Sequence, residues 1–209
     1  MSNVMRKTLV IGACAAGVTL NGCALPGVPT PTPSHRAIAL PAPASASPPA
    51  CANPDVSATK SPVTTLALMV GELPSGGPVL KQISDGRMNK TVNTDQRGFA
   101  NAGNTYRLED DVVLDASTQT ATADYPQLRD AAKGQFATVA RSASFPGLGC
   151  QADEYIGKTA VGYTEVGIAF QEGDVIAVVL IVNSTGAVDP LFAAAIAQAQ
   201  DRKIVASTA

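Results

Sequence analysis

The chain has 209 residues, of which 45% are hydrophobic and 15% are charged, and its formal net charge is −2. This length and composition allow one packed domain with appended segments, and the charge provides no basic surface for DNA or RNA. Aromatic side chains make up only 4% and tryptophan is absent, so the chain also offers few platforms for stacking bases. These properties argue against a nucleic-acid partner.

Residues 1–22 have the pattern of an export signal. A short basic segment with Arg6 and Lys7 precedes an apolar stretch over residues 8–20. Crossing a membrane as a helix takes about 20 apolar residues, so this stretch is too short for a stable span but typical of a signal peptide.

The sequence "LNGC" ends this region and resembles the lipobox of bacterial lipoprotein precursors. Leu20 and Gly22 occupy the −3 and −1 positions of that motif. The resemblance implies cleavage between Gly22 and Cys23, with a diacylglycerol attached to the Cys23 sulfur. Cys14, at the end of "IGAC", is a second candidate. A signal peptide that is cleaved without lipidation is a third reading.

Residues 23–60 form the predicted spacer after the anchor. Nine prolines lie within residues 24–60, separated mainly by Ala, Ser and Thr. Proline excludes helix, and Ala and Ser cannot build a core, so we expect a disordered, extended spacer. Disorder without any selected length fits the composition equally well. A single domain is predicted over residues 61–209.

The first half of this domain gives three predictions in chain order. Ser61-Pro62 and Gly71 bound a predicted helix. A strand "VLKQIS" follows, and residues 86–104 are polar and rich in Gly and Asn, which indicates a long loop or a weak strand with loops. Residues 105–117 alternate in polarity around Asp110-Asp111, which predicts two strands joined by a tight turn.

The second half predicts a helix, a hairpin and a helix. Apolar residues recur every four positions from Leu128 to Ala140, with Asp124 as the candidate cap. "GYTEVGIAFQ" and "VIAVVLIV", joined by "EGD", read as a β-hairpin with a buried second strand. Asp189-Pro190 then begins the last helix.

These elements predict an α+β fold, a two-layer sandwich in which two or three helices cover an antiparallel sheet of about five strands. The element order and the lipoprotein start are similar to those of the PsbP-type extracytoplasmic α+β domains that some bacterial lipoproteins carry. That resemblance implies a module that works outside the cytoplasm.

Two cysteines remain for the exported chain, Cys51 and Cys150. In an oxidising compartment they predict one disulfide that closes a long loop. Two free thiols, or a bond to another chain, are the alternatives.

Catalytic and metal-binding patterns are weak. The only histidine, His35, falls in the spacer, which removes histidine-based catalysis and metal ligation from the domain. The acidic group formed by Glu109, Asp110, Asp111 and Asp115 lacks the alternation of a calcium loop and favours a solvated turn. Asp153 and Glu154 favour a solvated loop over a catalytic acid–base pair. We therefore predict no catalytic residue, metal or cofactor.

The remaining candidate is a locally basic region with Arg87, Lys90 and Arg97, which we predict as a ligand or partner surface at the rim of a groove between sheet and helices. The predicted function is a non-catalytic lipoprotein, held to a membrane of the cell envelope by its lipid. Its domain faces outside the cytoplasm and binds an envelope protein or a small ligand. An envelope-acting enzyme that uses carboxylates and a structural or assembly lipoprotein are the alternatives.

Overall fold

The computed structural model describes residues 61–86 and 93–208. Over these ranges the chain forms seven strands, two α-helices and two single 3₁₀ turns. The strands are β1 (Lys81–Gly86), β2 (Thr94–Ala100), β3 (Tyr106–Leu114), β4 (Thr138–Ser144), β5 (Gln151–Lys158), β6 (Thr164–Glu172) and β7 (Val175–Asn183). The helices are α1 (Thr118–Lys133) and α2 (Pro190–Thr208), and the 3₁₀ turns are Val63–Thr65 and Val70–Glu72. None of the helices in the described ranges is long and apolar enough to cross a membrane.

All seven strands belong to one sheet in the order β1-β2-β3-β7-β6-β5-β4, and every neighbouring pair is antiparallel. The two halves of the domain meet where β3 pairs with β7, from Tyr106 opposite Asn183 to Leu114 opposite Val175. The predicted α+β class with an antiparallel sheet is confirmed.

The helices lie on opposite faces of the sheet, which we call the α1 face and the α2 face. On β7, Ile176, Val178 and Leu180 belong to the apolar cluster with α1, whereas Ala177 and Val179 belong to the cluster with α2. Strand β7 is therefore covered on both sides, which explains why nearly all of its residues are apolar. The centre of the molecule thus has three layers where two were expected, and the sheet has seven strands where about five were expected.

The additional strands are β2, β4 and β5. Strand β2 lies inside residues 86–104, which were predicted as a long loop or a weak strand with loops, and β4 and β5 form a hairpin at one edge. Every residue of β4 is exposed or only partly buried, so its sequence carries no apolar alternation that could reveal it.

The helix predicted between Ser61 and Gly71 is wrong. Instead, residues 61–73 form an irregular segment, here called the strap, that contains both 3₁₀ turns. Leu66, Ala67 and Leu68 are completely buried between the turns, within the core cluster on the α2 face. Side chains from distant parts of the chain bind its backbone, so the strap does not need helical hydrogen bonds.

Helix α1 begins earlier and ends earlier than predicted. The Ser117 hydroxyl, not Asp124, caps it by accepting a hydrogen bond from the Thr120 amide at 3.1 Å. The helix ends at Lys133 because Gly134 follows, and the predicted continuation to Ala140 belongs to β4.

The last three predicted elements are confirmed. Strands β6 and β7 form a hairpin joined by Gly173 and Asp174, and Gly173 has a φ of 57°. Helix α2 begins at Pro190, and the Asp189 carboxylate accepts a hydrogen bond from the Leu191 amide at 2.9 Å. Local signals in the sequence were sufficient to predict these three elements.

Candidate functional site

Most of the predicted site residues fall outside the described ranges. Gly22, Cys23 and Cys51 precede residue 61, and Arg87 and Lys90 lie in the gap between residues 86 and 93. The lipidation site and the basic pair therefore stay predictions. Cys150 is described and forms a disulfide, and its partner lies outside the described residues.

Arg97 is not part of an exposed surface, so its assignment to a partner surface is wrong. It lies on β2 and is only 8% exposed. Its guanidinium donates hydrogen bonds to the carbonyl oxygens of Thr64 at 2.7 Å, Ala67 at 3.1 Å and Leu68 at 3.2 Å. It also forms an ion pair with Asp95 at 3.1 Å. Arg97 therefore fastens the strap to the sheet.

Asp110 and Asp111 do not form a turn, because β3 runs through them without interruption. Their side chains point to opposite faces of the sheet, as successive residues of a strand must. Asp110 is completely buried on the α2 face, where its carboxylate accepts a hydrogen bond from the Leu68 amide at 2.7 Å. Burial raises the pKa of Asp110 from 3.8 to about 7.

Helix α2 completes the contacts around the strap. The Gln200 side-chain amide donates a hydrogen bond to the Leu66 carbonyl oxygen, and the Lys203 ammonium donates one to that of Ala67, each at 2.8 Å. Lys203 also forms an ion pair with Glu72 at 2.6 Å. Arg97, Asp110, Gln200 and Lys203 therefore all bind the backbone of the strap and support the fold on the α2 face.

The other predicted acidic pair is divided between the two faces. On β5, Asp153 accepts a hydrogen bond from the Tyr125 hydroxyl of α1 at 2.9 Å. Its neighbour Glu154 is buried on the opposite face and forms an ion pair with Arg141 of β4 at 3.4 Å. The two carboxyls cannot act on one substrate, and neither lies in the solvated loop that the sequence predicted.

Three other carboxyls share the α1 face, and we call this group the carboxyl floor. Glu109 and Asp111 project from β3, and Glu165 projects from β6. Helix α1 packs its apolar side chains on β5, β6 and β7 of this face. Beyond that cluster, the α1-face residues of β2 and β3 become polar or small, among them Gln96 opposite Asp111 and Gly98 opposite Glu109.

The strand register fixes the spacing of the carboxyl floor. Glu109 and Asp111 are two residues apart on one strand, which separates their Cα atoms by about 7 Å. Glu165 is two strands away, across β7, a distance of about 10 Å between strand axes. Leu180 lies opposite Glu109, and Val182 lies opposite Glu165, so apolar side chains of β7 separate the carboxyls.

Burial raises the pKa values of all three carboxyls. Glu165 is only 3% exposed, and burial together with Glu109 raises its pKa to about 7. Burial, Glu109 and Asp110 raise the pKa of Asp111 to about 8, against the lowering effect of a hydrogen bond from Gln96. Burial also raises the pKa of Glu109.

Two oxygens of the carboxyl floor have no hydrogen-bond partner among residues 61–86 and 93–208. They are Asp111 Oδ1 and Glu165 Oε2, and both are buried. The nearby cation is Arg107, on the same face of β3, whose Nε donates a hydrogen bond to the Asn104 side-chain oxygen at 2.8 Å. Within the described ranges, no group of three or more His, Cys, Asp or Glu side chains could hold a metal ion.

The sequence analysis missed Glu165 as a member of this site. The alternation of β6 does place it on the face opposite Val166 and Ile168, so its orientation could have been inferred. Its proximity to β3 could not, because β3 and β6 become neighbours of β7 only through pairing that is distant in sequence.

Comparisons with known proteins provide one distant likeness. No family model matches the chain, and no curated protein matches it. Among solved structures, the chain is similar to the extracellular domain of PknH from Mycobacterium tuberculosis, with 13% sequence identity and a TM-score of 0.41. The match covers 54% of this chain and 64% of that one, which is less than two thirds of its length.

Proposed function

We propose that the protein is a lipoprotein anchored through Cys23, whose domain faces outside the cytoplasm and binds a small ligand or an envelope partner without catalysing a reaction. The carboxyl floor carries the binding part of this proposal. Two of its buried oxygens have no hydrogen-bond partner among the described residues, so a donor from a bound molecule would satisfy them.

The disulfide at Cys150 supports the location. Disulfides persist in oxidising compartments and are rare in the cytosol, so a disulfide-bonded domain agrees with an export signal at residues 1–22. The lipobox-like "LNGC" then gives the attachment point. Two or more acyl chains on Cys23 would hold the molecule firmly to a membrane.

The strand register favours binding over acid–base catalysis at the carboxyl floor. Glu165 lies two strands from Asp111, about 10 Å between strand axes, and apolar side chains of β7 separate them. Burial raises the pKa of both groups, to about 8 for Asp111 and about 7 for Glu165. A bound cation would lower both pKa values, because it stabilises the ionised carboxyls.

The anchoring is tested by Cys23→Ala, with Cys14→Ala as the matched control. In cells fed labelled palmitate, we expect the wild type and the Cys14→Ala variant to label and to fractionate with the membrane. The Cys23→Ala variant should lose both properties. Labelling of the Cys23→Ala variant would contradict the anchor.

The binding surface is tested in the same cells with a photoreactive amino acid at position 96, beside Asp111 on the α1 face, or at Val205, an exposed position on α2. We expect a specific adduct, small molecule or protein, from position 96 only. Equal adducts from both positions, or none from either, would contradict a binding role for this face.

A further inference from the structure

We propose that the connection between α1 and β4, residues 134–137 and here called the lid, closes over Glu165 and opens when that carboxyl loses its proton. This inference goes beyond the proposed function, because it concerns access to one carboxyl of the floor and holds whatever the floor binds.

Phe136 fixes the closed lid to the sheet. Its ring occupies the space over two glycines on the α1 face, Gly157 of β5 and Gly167 of β6. A Cβ added at Gly157 would meet the ring at 2.8 Å, and one added at Gly167 would meet it at 3.1–3.2 Å, so a larger residue at either position would crowd the ring. The two glycines therefore form a seat for Phe136, which is only 8% exposed.

Glu165 lies at the edge of this seat. It is directly opposite Gly157 and two residues before Gly167, with its side chain on the same face. Directly opposite residues of antiparallel strands have Cβ atoms about 4.5–5.5 Å apart, so the Phe136 ring covers the Glu165 side chain. Val182, the neighbour of Glu165 on β7, stays partly exposed, so the sheet alone does not bury this position. The lid therefore accounts for the 3% exposure of Glu165.

The covered position suits a neutral carboxylic acid and not an anion. Glu165 Oε2 is buried without a hydrogen-bond partner among the described residues. Burying a neutral carboxyl in this way costs little compared with burying a charge that has no partner. Burial and Glu109 accordingly raise the pKa of Glu165 to about 7. Ionisation therefore favours an arrangement in which water reaches this carboxyl.

Among the described residues, the charged groups around Glu165 do not provide an ionised carboxyl with a partner. Glu109 raises its pKa, and Arg107, in the same register row, lowers the pKa of Glu109 and donates a hydrogen bond from its Nε to Asn104. The other titratable groups on this face have contacts of their own: Asp111 with Gln96, Asp153 with Tyr125, Arg129 with Asp130, and Lys133 with the Tyr155 ring. In the row of Glu165, β7, β5 and β4 contribute the uncharged residues Val182, Gly157 and Val139.

The lid is the part of this cover that opens at the lowest cost. The Ala137 amide joins its backbone to the sheet through a hydrogen bond to the Lys158 carbonyl oxygen at 2.9 Å, and the Phe136 amide bonds back to Lys133 of α1 at 3.2 Å. Gly134 and Ala137 are exposed. Local opening of a short, exposed segment costs far less free energy than separating the strands beneath it.

The direction of the pH effect follows from the two states of the lid. When the lid is open, Glu165 is hydrated and its pKa returns towards the ordinary value of 4.5, so the closed state holds the proton more tightly. Protonation therefore stabilises the closed lid fully below about pH 4.5, and this stabilisation is lost as the pH rises to about 7. Above about pH 7 the open fraction should level off.

Hydrogen exchange of the full-length protein, followed by mass spectrometry, tests the lid. We expect the protection of residues 134–138, corrected for the intrinsic exchange rate at each pH, to fall about tenfold or more between about pH 4.5 and about pH 7.5. Glu165→Gln keeps the shape of the side chain but cannot ionise, so it should abolish that fall. Glu172→Gln removes a carboxyl of raised pKa from the other end of β6 and should show the wild-type fall.

A reciprocal measurement uses Phe136→Ala, which removes the ring from its seat. Carboxyl NMR should show Glu165 titrating near pH 7 in the wild type and about one pH unit or more lower in the variant, because water then reaches the carboxyl. If Phe136→Ala does not fold, the exchange experiment decides alone. The inference is overturned if wild-type protection does not change with pH, if Glu165→Gln retains the fall, if Glu172→Gln abolishes it, or if Glu165 titrates at the same pH with and without Phe136.

Discussion

At the scale of single residues, neighbours in the sequence acquire different roles because a strand alternates between two faces. Asp110 is enclosed on the α2 face, where it binds the Leu68 amide, whereas Asp111 projects to the carboxyl floor, where it binds Gln96. The acidic run in the sequence therefore divides into one carboxyl that supports the fold and two, Glu109 and Asp111, that belong to the candidate site.

The buried Asp110 makes stability depend on pH. Its pKa rises from 3.8 to about 7 on folding, so the folded state binds a proton that the unfolded state releases above about pH 4. The resulting stabilisation is fully present below about pH 4 and is lost as the pH rises through about 7, a change of up to about 4 kcal/mol. Asp111 and Glu165 act in the same direction.

We expect Asp110→Asn to remove this share of the pH dependence. The free energy of unfolding, measured by urea denaturation at about pH 4.5 and about pH 7.5, should fall less in the variant than in the wild type. Asp130→Asn, at an exposed position, should show the wild-type decrease. Equal decreases in the wild type and the Asp110→Asn variant would show that Asp110 is not the group responsible.

At the scale of elements, local signals predicted some segments and long-range contacts determined the others. The hairpin of β6 and β7 and the start of α2 were predicted because alternation and the Asp189-Pro190 cap act within a few residues. The strap was not predicted, and β2 was predicted only as one of two alternatives, because each depends on the other. Their polar groups are satisfied across a separation of about 30 residues, as in the contacts of Arg97 with Thr64 and Ala67.

The same limit applies to the candidate site. Glu109 and Asp111 stood out in the sequence as acidic residues, but the Leu68 amide that binds the buried Asp110 could not be identified from the sequence. Glu165 joins them only because β7 pairs with β3 on one side and β6 on the other. A site built across three strands is visible only once the order of those strands is known.

Arg97 is expected to be the main contact between the strap and the sheet. Arg97→Ala removes hydrogen bonds to three carbonyl oxygens of the strap and the ion pair with Asp95. Because it breaks a buried ion pair by removing one partner, we expect the free energy of unfolding to fall by about 3–5 kcal/mol in chemical denaturation.

Lys203→Ala serves as the matched control for the strap. Lys203 also binds a strap carbonyl and an acidic partner, Glu72, but this ion pair is more exposed, so the loss should be about 1 kcal/mol. Hydrogen exchange should locate the effect of Arg97→Ala in the strap and β2. A loss no larger than that of the Lys203→Ala variant would contradict the role of Arg97 as the main fastening.

At the scale of the whole molecule, the disulfide connects the domain to a segment outside the described residues. Cys150 lies directly before β5, and its amide donates a hydrogen bond to the Gln171 carbonyl oxygen at 2.8 Å, so its backbone is fixed at the end of the sheet. A disulfide from such a fixed point restricts the unfolded chain strongly when the loop that it closes is long. Pairing with Cys51 would close a loop of about 100 residues, for which chain entropy predicts about 4.7 kcal/mol.

We therefore expect Cys150→Ser to lower the free energy of unfolding by about 2–5 kcal/mol, and Cys51→Ser to lower it by the same amount. The double variant should lose no more than either single variant, because both substitutions remove one bond. Alkylation of the exported wild-type protein without reductant should modify neither cysteine, as mass spectrometry would show. If the losses of unfolding free energy in the two single variants add in the double variant, or if Cys51 is alkylated in the wild type, Cys150 pairs with a different cysteine. The disulfide would then close a different loop.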